Sequence, residues 1–211
     1  MYRKRVSSLR SVLANLLAII AIFAITGQPA RAASVLQLGV ADLVRGSQLI
    51  FHGTAVERRI VAGSQDGEIF TRVTFQVHEV VNGPTVKTLD LDFLGGTLNG
   101  VTLEISDMTV PPVGEEGIFF IEQLNRQQVN PIYGWWQGYF VVRHEQGGRK
   151  IVTTYDLKPI YDVQPSSAIY TGGISEGAAE GVVTDGAAKG RLPMSIDDFK
   201  SSLRRVLELL R

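Results

Sequence analysis

The sequence predicts a mainly β protein, a single antiparallel barrel of the OB type, with a β-sandwich as the alternative. Apolar and polar residues alternate along several short segments, and turn-forming residues recur at the spacing typical of barrels and sandwiches. Helical periodicity is found in one segment before the predicted strands and in one at the C-terminal end. The clearest alternation spans 69–77, where one face is mostly apolar and the other mostly polar.

About seven short strands are predicted. The run at 118–121 is apolar at four consecutive positions, which favours a strand that is covered on both faces. The segments 139–143 and 150–155 are predicted to pair as a hairpin, because Gly147 and Gly148 lie at its tip. The other predicted strands are 49–59, 69–77, 88–93 and 101–105.

The predicted β-barrel domain spans 33–161 and begins with a short helix, and a loop and a C-terminal helix follow it. Apolar residues at 36, 40, 43 and 44 predict a short helix near its start. The segment 162–192 is rich in Gly and Ala and predicts a flexible loop. The last segment, 193–211, predicts an amphipathic helix that is capped by Ser195 and docks on the barrel. Its apolar stripe is Ile196, Phe199, Leu203, Val206 and Leu210.

The first 32 residues have the pattern of a secretory signal peptide. A basic start precedes an uncharged, mostly apolar run at 12–25, and Ala30-Arg31-Ala32 matches a cleavage site. A membrane anchor is the alternative, but the run is shorter than the roughly 20 residues that a spanning helix needs. We therefore expect an exported protein, periplasmic or secreted, without a stable membrane anchor after cleavage.

Charge and composition exclude several classes of function. The predicted leader holds five of the 21 basic residues and none of the 21 acidic ones, which leaves the rest of the chain a net charge of −5. No long basic run remains, so nucleic-acid binding is not expected. The chain has no cysteine, which excludes disulfides, thiol nucleophiles and thiolate metal sites.

Five segments, taken in order, carry a resemblance to a group of uncharacterised exported bacterial proteins. They are LIFHGTAVE (49–57), TRVTFQVHEVVNG (71–83), DFLGGT (92–97), VGEEGIFFI (113–121) and GWWQGYFVV (134–142). Their layout is also remotely similar to the OB-type barrel of the netrin and metalloproteinase-inhibitor modules. That resemblance implies a curled meander of the first three strands, which the 114–121 strand closes. Those inhibitors bind zinc through an N-terminal cysteine that this chain lacks, so the resemblance implies a shape and no mechanism.

The titratable residues do not assemble a site by spacing alone. His52, His78 and His144 show no metal-binding spacing, so neither a metal nor a cofactor is expected. Asp90 and Asp92 share one strand face, which could serve hydrolysis or hold calcium but is more simply explained as solvated. Glu115 and Glu116 are interpreted as turn residues that guard the apolar strand after them.

The stretch YGWWQGYF (133–140) is the main candidate for binding. If it is an unbroken strand, Trp135 and Trp136 face opposite sides, because neighbouring residues alternate. We then expect Trp136 in the core. Trp135, flanked by Tyr133 and Tyr139, forms a possible contact surface for a partner, unless the C-terminal helix covers it.

These observations favour a non-enzymatic binding module that contacts an unknown protein or glycan in the cell envelope. An inhibitor or accessory factor of an exported protease is the first alternative, implied only by the remote barrel resemblance. A hydrolase that uses Asp90, Asp92 or Glu116 is the second alternative.

The leader pattern makes a direct prediction about the exported protein. Its first residue should be Ala33, because a signal peptidase cleaves after the small-residue pattern that ends at Ala32. N-terminal sequencing of the exported form tests this, with the whole-cell precursor as the control. A protein that keeps Met1 and sediments with the membranes would contradict the prediction.

Overall fold

The computed structural model describes residues 35–65, 67–145, 147–169, 171–175, 177–186 and 190–211. The predicted signal peptide lies outside these residues. The structure confirms a mainly β protein with two helices. The helices are α1 (Val40–Gly46) and α2 (Ile196–Leu209). The strands are β1 (Leu49–Ala62), β2 (Ile69–Asn82), β3 (Thr88–Leu94), β4 (Gly96–Leu98), β5 (Val101–Leu103), β6 (Glu116–Ile121), β7 (Tyr139–His144), β8 (Lys150–Thr154), β9 (Asp162–Val163) and β10 (Val182–Val183).

Six strands form one antiparallel sheet in the order β3-β2-β1-β6-β7-β8. β1 and β2 form a long hairpin, and their register shifts at three places, as at β-bulges. Among the described residues β3 and β8 remain the two edges, and no pairing between them closes a barrel. The barrel and the sandwich therefore both stay predictions.

The central strand β6 is buried on both faces, as its apolar run predicts. Ile118, Phe119, Phe120 and Ile121 are all fully buried. Phe119 and Ile121 join one apolar cluster and Ile118 and Phe120 join the other, because side chains alternate along a strand. The sheet thus has a separate core on each side.

One core is built from aromatic residues of the sheet itself. Phe51, Phe75 and Phe119 pack with ring centroids 4.8–5.5 Å apart. Gly53 and Gly117 face each other on β1 and β6, and a Cβ at either position would press against a phenylalanine ring. Glycine at both positions therefore lets the rings lie flat against the backbone.

The other core is covered by the two helices. Phe199 of α2 is fully buried, with its ring 4.9 Å from that of Phe140 on β7. The Ser195 side chain accepts a hydrogen bond from the Asp198 N–H, so the predicted cap and docking of this helix are confirmed. The cluster that α2 joins includes neither tryptophan, so the alternative in which this helix covers Trp135 is not observed.

The segment predicted to be a flexible loop, 162–192, makes specific contacts at several of its described residues. β9 and β10 pair within it, and Ala168 and Ala179 are buried. The Asp42 carboxylate of α1 accepts hydrogen bonds from the Ala168 N–H (2.7 Å), the Ile169 N–H (3.1 Å) and the Ser167 hydroxyl (2.6 Å). This buried carboxylate therefore binds the segment to α1, a contact that the Gly/Ala-rich composition does not indicate.

Two further boundaries differ from the prediction. The N-terminal helix begins at Val40, not at residue 36, because Leu36 and Leu38 are held in extended conformation by hydrogen bonds to other segments. The strand predicted at 101–105 is only β5, and it pairs with β4 in a separate two-stranded sheet. Within the described part of the chain, no helix is long and apolar enough to cross a membrane.

Candidate functional site

The sequence predicted that the Trp pair is part of the strand β7. Instead, the pair precedes this strand in a 3₁₀ helix, Trp135–Gly138. Gly134 and Trp135 both have left-handed backbone, with φ of 69° and 58°. The strand begins only at Tyr139, so the alternation that assigned Trp136 to the core and Trp135 to the surface does not apply. Both indoles are partly buried instead.

Three aromatic rings form a cluster at this turn, the aromatic surface: Trp135, Trp136 and Tyr155. The two indoles meet edge to face with centroids 6.2 Å apart, and Trp136 lies 6.1 Å from Tyr155. The Trp136 indole N–H donates to the Ser175 hydroxyl at 3.2 Å. Ser175 belongs to the segment 162–192, which we call the connecting segment, so this segment fixes the ring. Beside it, Leu36 and Ile174 are exposed and joined by a β-bridge.

Gln137 holds the turn in place, a role that no local sequence pattern indicates. Its side chain is fully buried, and its Oε1 accepts a hydrogen bond from the Leu38 N–H at 2.8 Å. Its Nε2 donates to the Leu36 carbonyl at 2.9 Å. This one amide therefore joins the extended segment before α1 to the turn. This rigid frame orients the Trp pair.

The two tyrosines that were predicted to flank Trp135 have different environments. Tyr139 is only 2% exposed and stacks on Phe119 with centroids 5.1 Å apart. Burial, with the nearby Glu115 carboxylate, raises the pKa of Tyr139 above its usual value. Tyr133 is partly buried and packs so closely on Gly46 that a Cβ there would overlap its ring. Tyr139 is thus not part of the aromatic surface, whereas Trp135 belongs to it and Tyr133 is still partly exposed.

A second constellation lies across the sheet on the face that α2 covers. We call it the polar row: Thr54, His52, Glu116, His144 and Lys150. Glu116 is its centre, with the Lys150 Nζ at 2.8 Å and 3.0 Å from its two oxygens and the His52 Nε2 at 2.8 Å. The interpretation of Glu116 as a turn residue is therefore wrong, since it is the first residue of β6 and is largely buried.

The histidines converge although their spacing in the sequence shows no pattern. His52 and His78 meet edge to face with centroids 4.9 Å apart, and the His144 Nε2 is 3.5 Å from the Glu116 carboxylate. His78 also hydrogen-bonds the Thr54 hydroxyl at 2.8 Å. No group of three or more His, Asp or Glu side chains among the described residues is arranged to hold a metal ion. A groove of about 880 Å³ adjoins the row at His78.

The surroundings of Glu116 and His52 set the protonation of these two residues. Burial alone would raise the pKa of Glu116, but hydrogen bonds from Lys150 and His52 outweigh it and lower that pKa to about 2. Burial lowers the pKa of His52, against the opposing effect of Glu116. At neutral pH the row therefore pairs an ionised Glu116 with a neutral His52. An ionised carboxylate cannot act as the general acid that a glycosidase needs.

Asp90 and Asp92 lie on one face of β3, as predicted, and each has a basic partner. Asp92 binds Arg72 through two hydrogen bonds of 2.6 Å and 2.7 Å. Asp90 accepts from Arg59 at 3.1 Å and from the Thr74 hydroxyl at 2.7 Å. The two carboxylates are thus drawn toward neighbouring strands, which explains how two acidic residues tolerate each other on one face.

Comparisons of this chain with protein-family models, with curated proteins and with solved structures find no match. The site must therefore be interpreted from its own geometry.

The lowered pKa of Glu116 predicts an acid-dependent stability. Because the pKa is about 2 in the folded state and about 4.5 when unfolded, ionised Glu116 stabilises the fold above pH 4.5. This contribution is on the order of 2–3 kcal/mol and is lost as the pH falls from about 4.5 to about 2. Glu116→Gln should therefore lower the free energy of unfolding at pH 7, and the difference from wild type should vanish below about pH 2.

Urea denaturation of both proteins across this pH range measures that difference. Glu104→Gln, at an exposed position of the chain, is the matched control and should leave the free energy of unfolding nearly unchanged. A Glu116→Gln difference that is constant from pH 7 to pH 2 would show that the carboxylate's charge contributes nothing.

Proposed function

We propose that this protein is an exported, non-enzymatic binding module that contacts a protein or a glycan in the cell envelope through the aromatic surface around Trp135. The observation that carries the proposal is the backbone of Trp135, a bulky residue with φ of 58° and a partly exposed side chain. Left-handed backbone at such a residue costs about 1–3 kcal/mol, and strain of this kind is concentrated at functional sites.

The rigidity of this turn supports a binding role. Gln137 and Ser175 fix the frame and the Trp136 ring, so less side-chain entropy is lost when a partner binds. Tryptophan supplies a large apolar face with one polar N–H, which suits both a sugar ring and an apolar side chain of a protein. The exposed Leu36 and Ile174 extend the apolar area beside it.

A closed OB-like barrel belongs to the same proposal, with the β-sandwich as the alternative. The 14-residue strands β1 and β2, with their register shifts, favour strong curling of this half of the sheet. The aromatic core that β1, β2, β3 and β6 share lies on one face of that curl.

Hydrolysis is the less favoured function. Asp90, Asp92 and Glu116 each already bind a basic partner. The lowered pKa of Glu116 keeps that carboxylate charged at neutral pH. Inhibition of an exported protease would be one form of the proposed binding, and the experiment below would reveal it through the identity of the partner.

The test compares three immobilised proteins: wild type, Trp135→Ala and Val101→Ala. Val101 is 61% exposed on the separate two-stranded sheet of β4 and β5. Val101→Ala therefore serves as the matched control, because it also removes exposed apolar surface. Each is incubated with the solubilised envelope fraction and with purified envelope glycans, and bound material is quantified by mass spectrometry. We expect Trp135→Ala to bind at least about tenfold less of the partner than the other two.

Denaturation of the three proteins shows whether the fold persists. Equal capture by all three would contradict the assignment of the surface. Product formed from the glycans or proteins during incubation would contradict a purely binding role.

A further inference from the structure

A charged contact, which we call the helix tether, holds α2 to the sheet. The Lys200 ammonium of α2 contacts the Glu79 carboxylate of β2 and the Asp197 carboxylate of its own helix. Arg204, one turn further along α2, donates a second hydrogen bond to Glu79. The Lys200 side chain is only 10% exposed, so this cation is largely removed from water. Glu79 therefore anchors two turns of α2.

Two histidines lie beside the helix tether because of a β-bulge. β1 pairs His52 with Glu79 and then Gly53 with Val77, so His78 is the extra residue of the bulge. The ring of His78 lies against that of His52, with centroids 4.9 Å apart. His52 is only 9% exposed. Because Glu79 is both the residue opposite His52 and the anchor of α2, the rings and the helix tether form one cluster.

The ionised groups of this cluster balance at neutral pH. They are three cations and three carboxylates: Lys150, Lys200, Arg204, Glu79, Glu116 and Asp197. Each of the carboxylates already bonds a cation. Lys87 lines the groove beside His78 and adds a further positive charge, whereas Asp198 of α2 bonds the Ser195 hydroxyl. A charge on either ring would therefore enter a cluster whose carboxylates are already paired.

Protonation of the two rings would make the cluster positive. Histidine is the side chain that changes charge between pH 5 and 8. Two charged rings at this distance repel each other, and the Lys200 ammonium repels both. Burial lowers the pKa of His52, and His78 and Lys200 lower it further, against the opposing effect of Glu116. His144 differs, because its side chain is 60% exposed and faces the Glu116 carboxylate at 3.5 Å.

We propose that these two histidines and the helix tether form an acid-sensitive latch, in which protonation of His52 and His78 loosens α2 from the sheet. Opening relieves the repulsion, because it moves Lys200 away and lets water reach the rings. It also uncovers the apolar face that holds Phe140, whose ring packs on Phe199 of α2. Mild acid would thus expose an apolar surface that is buried at neutral pH.

Protons favour the open state because it binds them more tightly. The pKa of His52 lies below its usual value of 6.5 when α2 covers the ring, and it returns toward that value when the ring is exposed. The closed state is therefore most favoured above about pH 6.5 and loses stability as the pH falls below it. This window lies above the one in which Glu116 loses its charge, between about 4.5 and about 2.

The latch goes beyond the proposed function, because it acts on the face that α2 covers. The apolar cluster that α2 joins includes neither tryptophan. Trp135→Ala should therefore leave the latch unchanged, and each proposal can fail alone.

Native-state hydrogen exchange of the α2 amides at pH 7 and pH 5.5 measures the opening. The proteins are wild type, the double variant His52→Gln/His78→Gln and His144→Gln. Glutamine can keep the hydrogen bonds to Glu116 and Thr54 without taking a proton. His144→Gln is the matched control, because it removes the third histidine of the polar row at an exposed position.

We expect the opening constant of α2 to rise at least about fivefold from pH 7 to pH 5.5 in wild type and in His144→Gln, after correction for the chemical exchange rate. In the double variant it should change by less than about twofold, since neither replaced side chain titrates. At pH 5.5 the wild-type α2 amides should open with a lower free energy than the amides of 118–121 that are bonded within the sheet.

A measurement on wild type alone keeps the test valid if the double variant does not fold. The protonation of the His52 ring is followed by NMR, and its midpoint should coincide with the rise in α2 opening. Opening that stays constant while His52 takes its proton would overturn the proposal. So would an equal pH effect in the double variant, loss of the effect in His144→Gln, or α2 amides that open at pH 5.5 with the same free energy as those of β6.

Discussion

The burial of β6 on both faces is the constraint from which the rest of the structure follows. Four consecutive apolar residues, 118–121, alternate between two cores and are fully buried. A strand of this kind stabilises the fold only if each face of the sheet is covered. Residues of β1, β2, β3, β6 and β7 form the aromatic core on one side, and α1, α2 and the connecting segment cover the other.

The covering elements also create the candidate sites. Gln137 joins the segment before α1 to the turn that carries the Trp pair, so the cover and the aromatic surface share one set of hydrogen bonds. Asp42 joins α1 to the connecting segment, and that segment supplies Ser175 to Trp136. On the same face as α2, the polar row places Glu116 where β1 on one side and β7 and β8 on the other supply its partners. Fold and site therefore depend on a few buried polar groups.

The regular elements were predictable because their signals are local. Alternation gave the strands of the main sheet, the apolar run gave the burial of β6, and Ser195 with its apolar stripe gave α2. The face assignment of Phe140 and Tyr139 also follows from parity, since they join opposite cores. These features arise from residues within a few positions of each other.

The remaining features depend on contacts across about 100 residues, which no local pattern contains. Gln137 bonds Leu38, and Asp42 bonds Ala168, so neither the Trp turn nor the docked segment could be read from composition. The strand prediction failed at Trp135 because a non-glycine residue in left-handed backbone has no sequence signal. The interpretation of Glu116 as a turn residue failed because its partners come from three other strands, which no local pattern indicates.

Native-state hydrogen exchange tests the central role of β6 most directly. If both cores depend on this strand, the amides of 118–121 that are bonded within the sheet should exchange only through global unfolding. Their exchange free energies should then equal the free energy of unfolding measured with denaturant and fall with the same slope. Exchange through a smaller opening, with a clearly lower free energy and little dependence on denaturant, would contradict the account.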